Sequence, residues 1–259
     1  MGHHHHISVT IIAFNEEHRI EECLKSVSEI ADEIVVVDSN STDRTVEICN
    51  RYGAKVTCRQ FSGYGWQRQF ATSLATHSYV LSIDADEVLS PALIESIKRL
   101  KEAGFDHRVY EMSRLNFYCG QPVRHCGWYP DYQVRLFDKR YAHWTRREVR
   151  ERVEFPQGLR PQLVDGDILH YRCNTPQEYI SVELRHAALN SARLVRSKKH
   201  IGILTPAIKA LRSFFRMYLT NGGILDSQVG WDISRVAYKA TYTSYSLARR
   251  TRRNIDRNG

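Results

Sequence analysis

Two carboxylates stand two residues apart in Asp84-Ala85-Asp86, directly after the apolar run Tyr79-Val80-Leu81-Ser82-Ile83. This arrangement suits a divalent cation that itself holds a diphosphate, because Mg2+ and Mn2+ take oxygen ligands and keep phosphates and waters in their shells. Past a strand end, alternate side chains project the same way, so both carboxylates can reach one polar volume. Asp86 is the expected metal ligand, with Asp84 nearer a ribose. Asp38 closes another apolar run, Ile34-Val35-Val36-Val37. A carboxylate there can accept hydrogen bonds from a base or ribose, or can serve only its own turn. Arg68, in Gly63-Tyr64-Gly65-Trp66-Gln67-Arg68, could grip a diphosphate with two parallel hydrogen bonds or be an ordinary exposed helix arginine.

These side chains need a scaffold that gathers them. The residue pattern predicts strands over 9–14, 33–38, 55–60 and 79–83, with helical stretches between them. Strand–helix alternation makes a parallel sheet, and ligands of such sheets bind beyond the carboxyl ends of the strands. Asn15-Glu16-Glu17, Asp38-Ser39-Asn40-Ser41 and the Asp84 to Glu87 turn all fall at those ends. Asn15 and Ser41 read as helix N-caps, and Ser90-Pro91 as the cap and first-turn proline of a helix over 92–103. Short β-type stretches at 109–115, 132–137 and 163–169 then alternate with loops such as Gly127-Trp128-Tyr129-Pro130-Asp131. Helical patterns follow over 176–197, 206–221 and 226–250. The expected organisation is a βα half over 7–104, a β extension of the same domain over 105–174, and a basic helical tail over 175–259. Residues 1–6, Met-Gly and four histidines, have the form of a purification-tag remnant and are set aside.

A chain of 259 residues with 42% hydrophobic and 25% charged residues can bury a sizeable core. The six cysteines form no Cys-x-x-Cys pair, so buried, reduced thiols are expected rather than a disulfide framework or zinc site. No apolar run approaches a membrane-spanning length and no signal peptide is visible. The net charge of +8 is concentrated in the last third, in residues such as Lys209, Arg212, Arg216, Arg249, Arg250, Arg252 and Arg253. That asymmetry points to an anionic partner for the tail. In 206–221, Lys209, Arg212 and Arg216 form one basic stripe beside a wide apolar face, which suits either a membrane surface or packing on the domain. The absence of Gly-x-Gly-x-x-Gly after the first strand excludes a dinucleotide fingerprint, and Ala13-Phe14-Asn15-Glu16-Glu17 is not the Gly-rich loop of a nucleotidyltransferase. No nucleic-acid motif accompanies the basic tail.

Residues 9–17 (VTIIAFNEE), 34–45 (IVVVDSNSTDRT) and 82–87 (SIDADE) resemble the family 2 glycosyltransferases. Residues 127–137 (GWYPDYQVRLF), 169–171 (LHY) and 214–218 (FFRMY) narrow the resemblance to bacterial lipopolysaccharide inner-core β-1,4-glucosyltransferases. It runs from about residue 7 to 245. The resemblance implies an α/β GT-A nucleotide-diphospho-sugar transferase fold, a Rossmann-like mixed sheet with a C-terminal helical extension. It also implies inverting, metal-dependent transfer of a hexose, glucose from UDP-glucose, to an inner-core sugar; a polyprenyl phosphate or another glycan is the alternative acceptor. By position, Ala13, Asn15, Glu17 and Asp38 would line the nucleotide pocket, with Arg68 at the diphosphate, Asp84 on the ribose side, and Asp86 and His170 at the Mn2+ or Mg2+ ion. Gln133 and Arg135 would steady the leaving diphosphate. Inversion in one displacement needs a base, and Asp131, in a Trp/Tyr/Pro-rich loop able to stack a sugar, is the choice. Glu151 is the runner-up; the family pattern has His-Glu where this chain reads Arg150-Glu151. The implied location is cytoplasmic, peripheral on the inner face of the bacterial inner membrane, held there by the basic helices, with no nucleic-acid partner.

Overall fold

The computed structural model describes residues 5–145, 151–197 and 200–258, the last three by backbone alone. By contacts the chain divides into two units, Met1–Arg114 with Asp131–His170, and Leu115–Pro130 with Tyr171–Gly259.

The first unit opens as a strand–helix series. It runs β1 (Ile7–Ala13), α1 (Ile20–Val27), β2 (Glu33–Asp38), α2 (Thr45–Arg51), β3 (Lys55–Cys58), α3 (Tyr64–Leu74) and β4 (Tyr79–Asp84). A short strand β5 (Glu87–Leu89) and helix α4 (Pro91–Ala103) follow. Beyond them lie β6 (Val109–Tyr118), a short β7 (Gln121–Pro122), β8 (Asp131–Asp138), β9 (His143–Trp144), β10 (Val153–Glu154) and β11 (Gln162–Cys173). Among the described residues the main sheet has the order β3-β2-β1-β4-β8-β6-β11-β5. The pairs β1–β2, β1–β4 and β2–β3 are parallel, as the apolar runs predict. β8 joins β4 antiparallel, and β5 pairs antiparallel with β11, so the sheet is mixed. β1 and β4 are buried almost throughout, as expected of strands covered on both faces.

Helix α4 starts as predicted. The Ser90 hydroxyl accepts from Leu93 N–H, Pro91 occupies the first turn, and Gly104 ends the helix in the left-handed region. Gly166 in β11 passes this start so closely that a Cβ would lie 2.3 Å from Leu93 N, and its φ of +104° already requires glycine. Asn15 and Ser41 do not cap helices. Helices α1 and α2 begin later, after Arg19 and Arg44, without a side-chain cap. Asn15, at φ 54°, accepts from Thr42 N–H, and Ser41 Oγ accepts from Asn15 N–H. The two loops therefore use their polar groups on each other rather than on their own helices.

The second unit is helical: α5 (Pro176–Arg196), α6 (Thr205–Phe215), a widened π-type turn at Arg216–Thr220, a 3-10 turn at Gly223–Asp226, and α7 (Ser227–Asn258). Its core joins Tyr118, Val123, Cys126, Tyr179, Ile233 and Val236. The loop before Pro130 is tied to the turn before α7: Cys126 N–H donates to Asn221 O at 2.9 Å, and His125 Nδ1 lies 2.8 Å from Asp226. The six cysteines are free; Cys23, Cys49, Cys126 and Cys173 are buried as expected, whereas Cys58 is exposed at the end of edge strand β3. Among the described residues no helix is long and apolar enough to cross a membrane.

Candidate functional site

Where β1, β2, β3 and β4 end, the first unit encloses a cavity of about 740 Å3. Ala13 and Phe14 come from the end of β1, Ser39 from the end of β2, and Gln60 and Phe61 from just past β3. Asp84, Ala85 and Asp86 come from the end of β4, Arg68 from α3, Arg114 from β6 and His170 from β11. Glu151 completes the wall, while its neighbour Arg150 lies outside the described residues. The cavity is thus at the carboxyl ends of the parallel strands, where such sheets hold ligands.

Its floor is a network of buried charges. Arg68 is 7% exposed and donates to Asp84 at 2.7, 2.9 and 3.1 Å. Its other arm donates to Glu151 at 2.5 Å. Arg135, nearly inaccessible, donates to Glu87 at 2.7 Å and to the Ser82 carbonyl at 3.2 Å, and stands 3.5 Å from Asp84. Glu87 also receives the Asp84 N–H at 2.9 Å and lies 3.4 Å from Arg114. Burial alone would push the Asp84 carboxyl up, but the Arg68 and Arg135 guanidiniums hold it well below the usual carboxylate range. Burial likewise opposes the Arg68 charge, which Asp84 and Glu151 more than restore. Asp84 is thereby fixed in the ionised form by neighbours that leave it little freedom to move.

Asp86 is different. Its Oδ2 lies 3.2 Å from His170 Nε2 and 4.0 Å from Arg19, and its side chain is a quarter exposed. Two cis ligands of an octahedral ion bound at about 2.1 Å stand about 3 Å apart. One carboxylate oxygen and one imidazole nitrogen at 3.2 Å therefore fit two neighbouring corners of a Mn2+ or Mg2+ shell whose other corners diphosphate and water could fill. Among the described residues no group of three or more His, Cys, Asp or Glu is assembled to hold an ion without such help.

Of the residues singled out by sequence, Ala13, Arg68, Asp84, Asp86, His170 and Glu151 meet on the cavity wall. Asn15, Glu17 and Asp38, expected to line the pocket, are not among its lining residues. Asp38 is fully buried and accepts from Ser41 N–H at 2.7 Å and Ser41 Oγ at 2.5 Å. Glu17 accepts from the Arg44 backbone and side chain at 3.1 and 3.3 Å. These bonds shape the two loops that carry Phe14, Glu16 and Ser39 to the cavity. Asp131 opens β8 opposite Arg114, which donates to it at 2.7 and 3.0 Å, and Gln133 donates to its other oxygen at 2.7 Å. Arg114 joins this carboxylate to the cavity wall, and the sequence reading missed it. Its signal was a lone cation at a half-buried strand position, where an unpaired charge is costly. Phe14, Phe61 and Tyr64, exposed by 57%, 48% and 53%, were also unforeseen as a group of open aromatic faces.

The sequence pattern described as Glycosyl transferase family 2 matches residues 8–165. An uncharacterized glycosyltransferase of Rickettsia typhi is 30% identical over 244 residues, covering 85% of this chain and 81% of its own. The lipopolysaccharide core biosynthesis glycosyltransferase LpsC of Rhizobium meliloti is 28% identical over 270 residues, 96% of each chain. A solved glucosyl-3-phosphoglycerate synthase of Mycobacterium tuberculosis is 25% identical over 44% of each chain with a TM-score of 0.36, too partial a likeness to bear weight. With the family pattern running from β1 into β11 and through the strand ends that build the cavity, the chain is a glycosyltransferase of GT-A fold and belongs to glycosyl transferase family 2.

Proposed function

We propose that this enzyme moves glucose from UDP-glucose onto an inner-core sugar of lipopolysaccharide, with inversion at the anomeric carbon. The observation that carries the reading is the Asp86–His170 pair, 3.2 Å apart on the wall of a cavity at the strand ends. The acceptor class is supported by the likeness to LpsC over 96% of both chains.

Asp86 and His170 hold Mn2+ or Mg2+, whose charge, when the ion is bound, offsets that of the departing diphosphate. Ala13, Asn15, Glu17 and Asp38 form the nucleotide pocket and its supporting loops, with Phe14, Phe61 and Tyr64 offering faces to the base. Asp84 serves the ribose side. Arg68, held by Asp84 and Glu151 on the cavity wall, offers its positive charge to the diphosphate, and Gln133 and Arg135 steady the same group. Asp131 is the general base, its orientation set by Arg114 and Gln133. The acceptor hydroxyl oxygen bonds to C1 as the bond from C1 to the β-phosphate oxygen breaks. UDP leaves with that electron pair, and the hydroxyl proton passes to Asp131. The enzyme works on the cytoplasmic face of the inner membrane as a peripheral protein, through its basic helices.

A donor screen with Mn2+ or Mg2+, scored by UDP release with and without a truncated core acceptor, tests this. UDP-glucose is turned over, and Asp86→Ala stops it. Asp131→Asn keeps UDP binding but lowers kcat by about 100- to 10,000-fold. Near-normal turnover in Asp131→Asn would move the base to Glu151. Transfer to a polyprenyl phosphate and not to the core would replace the acceptor. UDP binding indifferent to the cation would remove the metal assignment.

A further inference from the structure

The second unit carries an apolar surface that the transfer site does not use. Leu204, Ile208, Leu211, Phe215 and Leu219 follow at three- and four-residue spacings along α6 and the turn after it, and each is 48–66% exposed. Ile203, Ile224 and Leu225, exposed by 54–73%, extend the surface at its ends. Residues 200–225 contain no Asp or Glu, while Lys209, Arg212 and Arg216 are exposed beside the apolar row. A cavity of about 730 Å3 adjoins this face. Leu211, Phe214 and Phe215 of α6 line one side, and Trp231, Tyr238 and Tyr242 of α7 the other, with Arg235 and Lys239 also in its wall. Leu211 and Phe215 belong to both the exposed row and the cavity.

From this continuity we propose that α6 lies in an anionic phospholipid monolayer and that the cavity takes up one acyl chain of that lipid. The inference rests on the peripheral-membrane reading above and adds the surface and its occupant. A contiguous apolar row of this extent is seldom left open to water. Lys209, Arg212 and Arg216 border the row in a segment without acids and suit lipid phosphates, whereas in the cavity wall Arg235 stands 3.9 Å from Asp232 beside Lys239. A second copy of the chain complements the face poorly, because pairing would set Lys209, Arg212 and Arg216 against their own kind.

Sedimentation with vesicles of phosphatidylglycerol and phosphatidylcholine, against phosphatidylcholine alone, tests the surface. The chain should bind the anionic vesicles, and raising the salt should weaken binding. Lys209→Glu with Arg212→Glu should weaken it about 30-fold or more. Ile208→Glu with Leu219→Glu, both exposed sites and checked for native circular dichroism, should weaken it about tenfold or more. Phosphatidylglycerol brominated on its acyl chains should quench tryptophan fluorescence, and Trp231→Phe should remove most of that quenching. Equal binding to neutral vesicles, or unchanged binding by the Ile208→Glu/Leu219→Glu chain, would overturn the surface. Quenching that persists undiminished in Trp231→Phe would overturn the acyl cavity. A dimer in solution without vesicle binding would assign the face to a second copy and overturn the proposal. Vesicle binding is read without donor or acceptor and should persist in Asp86→Ala, so its loss and the loss of sugar transfer are separate results.

Discussion

In the first unit, Arg68, Arg114 and Arg135 each contact carboxylates between 2.5 and 3.4 Å away, and Arg68 and Arg135 are almost inaccessible to water. In the second, Lys209, Arg212, Arg216 and Arg250 are exposed, in a stretch where acidic residues are scarce. The same kind of side chain does opposite work in the two regions. Buried between carboxylates, a guanidinium is a structural member: it keeps Asp84 ionised and holds Asp84 and Glu87 in place, so a ligand meets oriented charge without rearrangement of the site. At the surface, cations add little to stability and remain available to an anionic partner.

The largest expected effect tests the buried side of that contrast. Arg135→Met takes its closest cation away from the inaccessible Glu87. Urea unfolding should show a loss of about 3–5 kcal/mol. A loss under about 1 kcal/mol would mean that Arg114 alone can hold Glu87, and the contrast would weaken.

Glu33, at the buried start of β2, gives a second, pH-dependent test. Burial opposes its charge, but Lys55 at 2.7 Å, Ser8 and the Thr76 N–H and hydroxyl lower its pKa to about 2. A depressed carboxylate stabilises the fold above its unfolded pKa, and that contribution fades as pH falls through the folded value. From an ordinary 4.5 to about 2, the contribution is about 3 kcal/mol at neutral pH, disappearing between those two values. Glu33→Gln should therefore cost about 2–3 kcal/mol at pH 7 and progressively less below pH 4.5, measured by unfolding across pH. A cost independent of pH would show that the hydrogen bonds matter without the charge.

Helix caps should not distinguish the two regions. Ser90 Oγ accepts from Leu93 and Asp167 N–H, and Thr175 Oγ1 accepts from Glu178 N–H. Ser90→Ala and Thr175→Ala should each cost about 1 kcal/mol in thermal unfolding. The smallest effect is expected at the exposed cations: Lys209→Ala with Arg212→Ala should leave the urea midpoint where it was. A large drop there would mean that these charges hold the second unit together and would erase the comparison.

Much of the scaffold could be read from local pattern. The runs in β1, β2 and β4 are apolar because both faces are covered, and a run of that kind announces itself within six or seven residues. The Ser90-Pro91 start and the Asp84-Ala85-Asp86 turn were legible for the same reason. Asn15 and Ser41 misled because a side-chain oxygen suited to a helix start is equally suited to a neighbouring loop, and β1–β2 pairing decides which N–H is near. The link of Arg68 to Glu151 spans 83 residues and has no local signature at all.

The order of residues therefore specified the parallel half of the sheet and the acidic turn at its rim, since both follow from short-range periodicity and chain geometry, while the family was carried by the resemblance of particular motifs. It left open which carboxylate each arginine would neutralise and that Arg114 would join Asp131 to the cavity. Those outcomes depend on β8, β6 and β11 folding back beside β4, because an ion pair forms only where distance and the exclusion of water coincide.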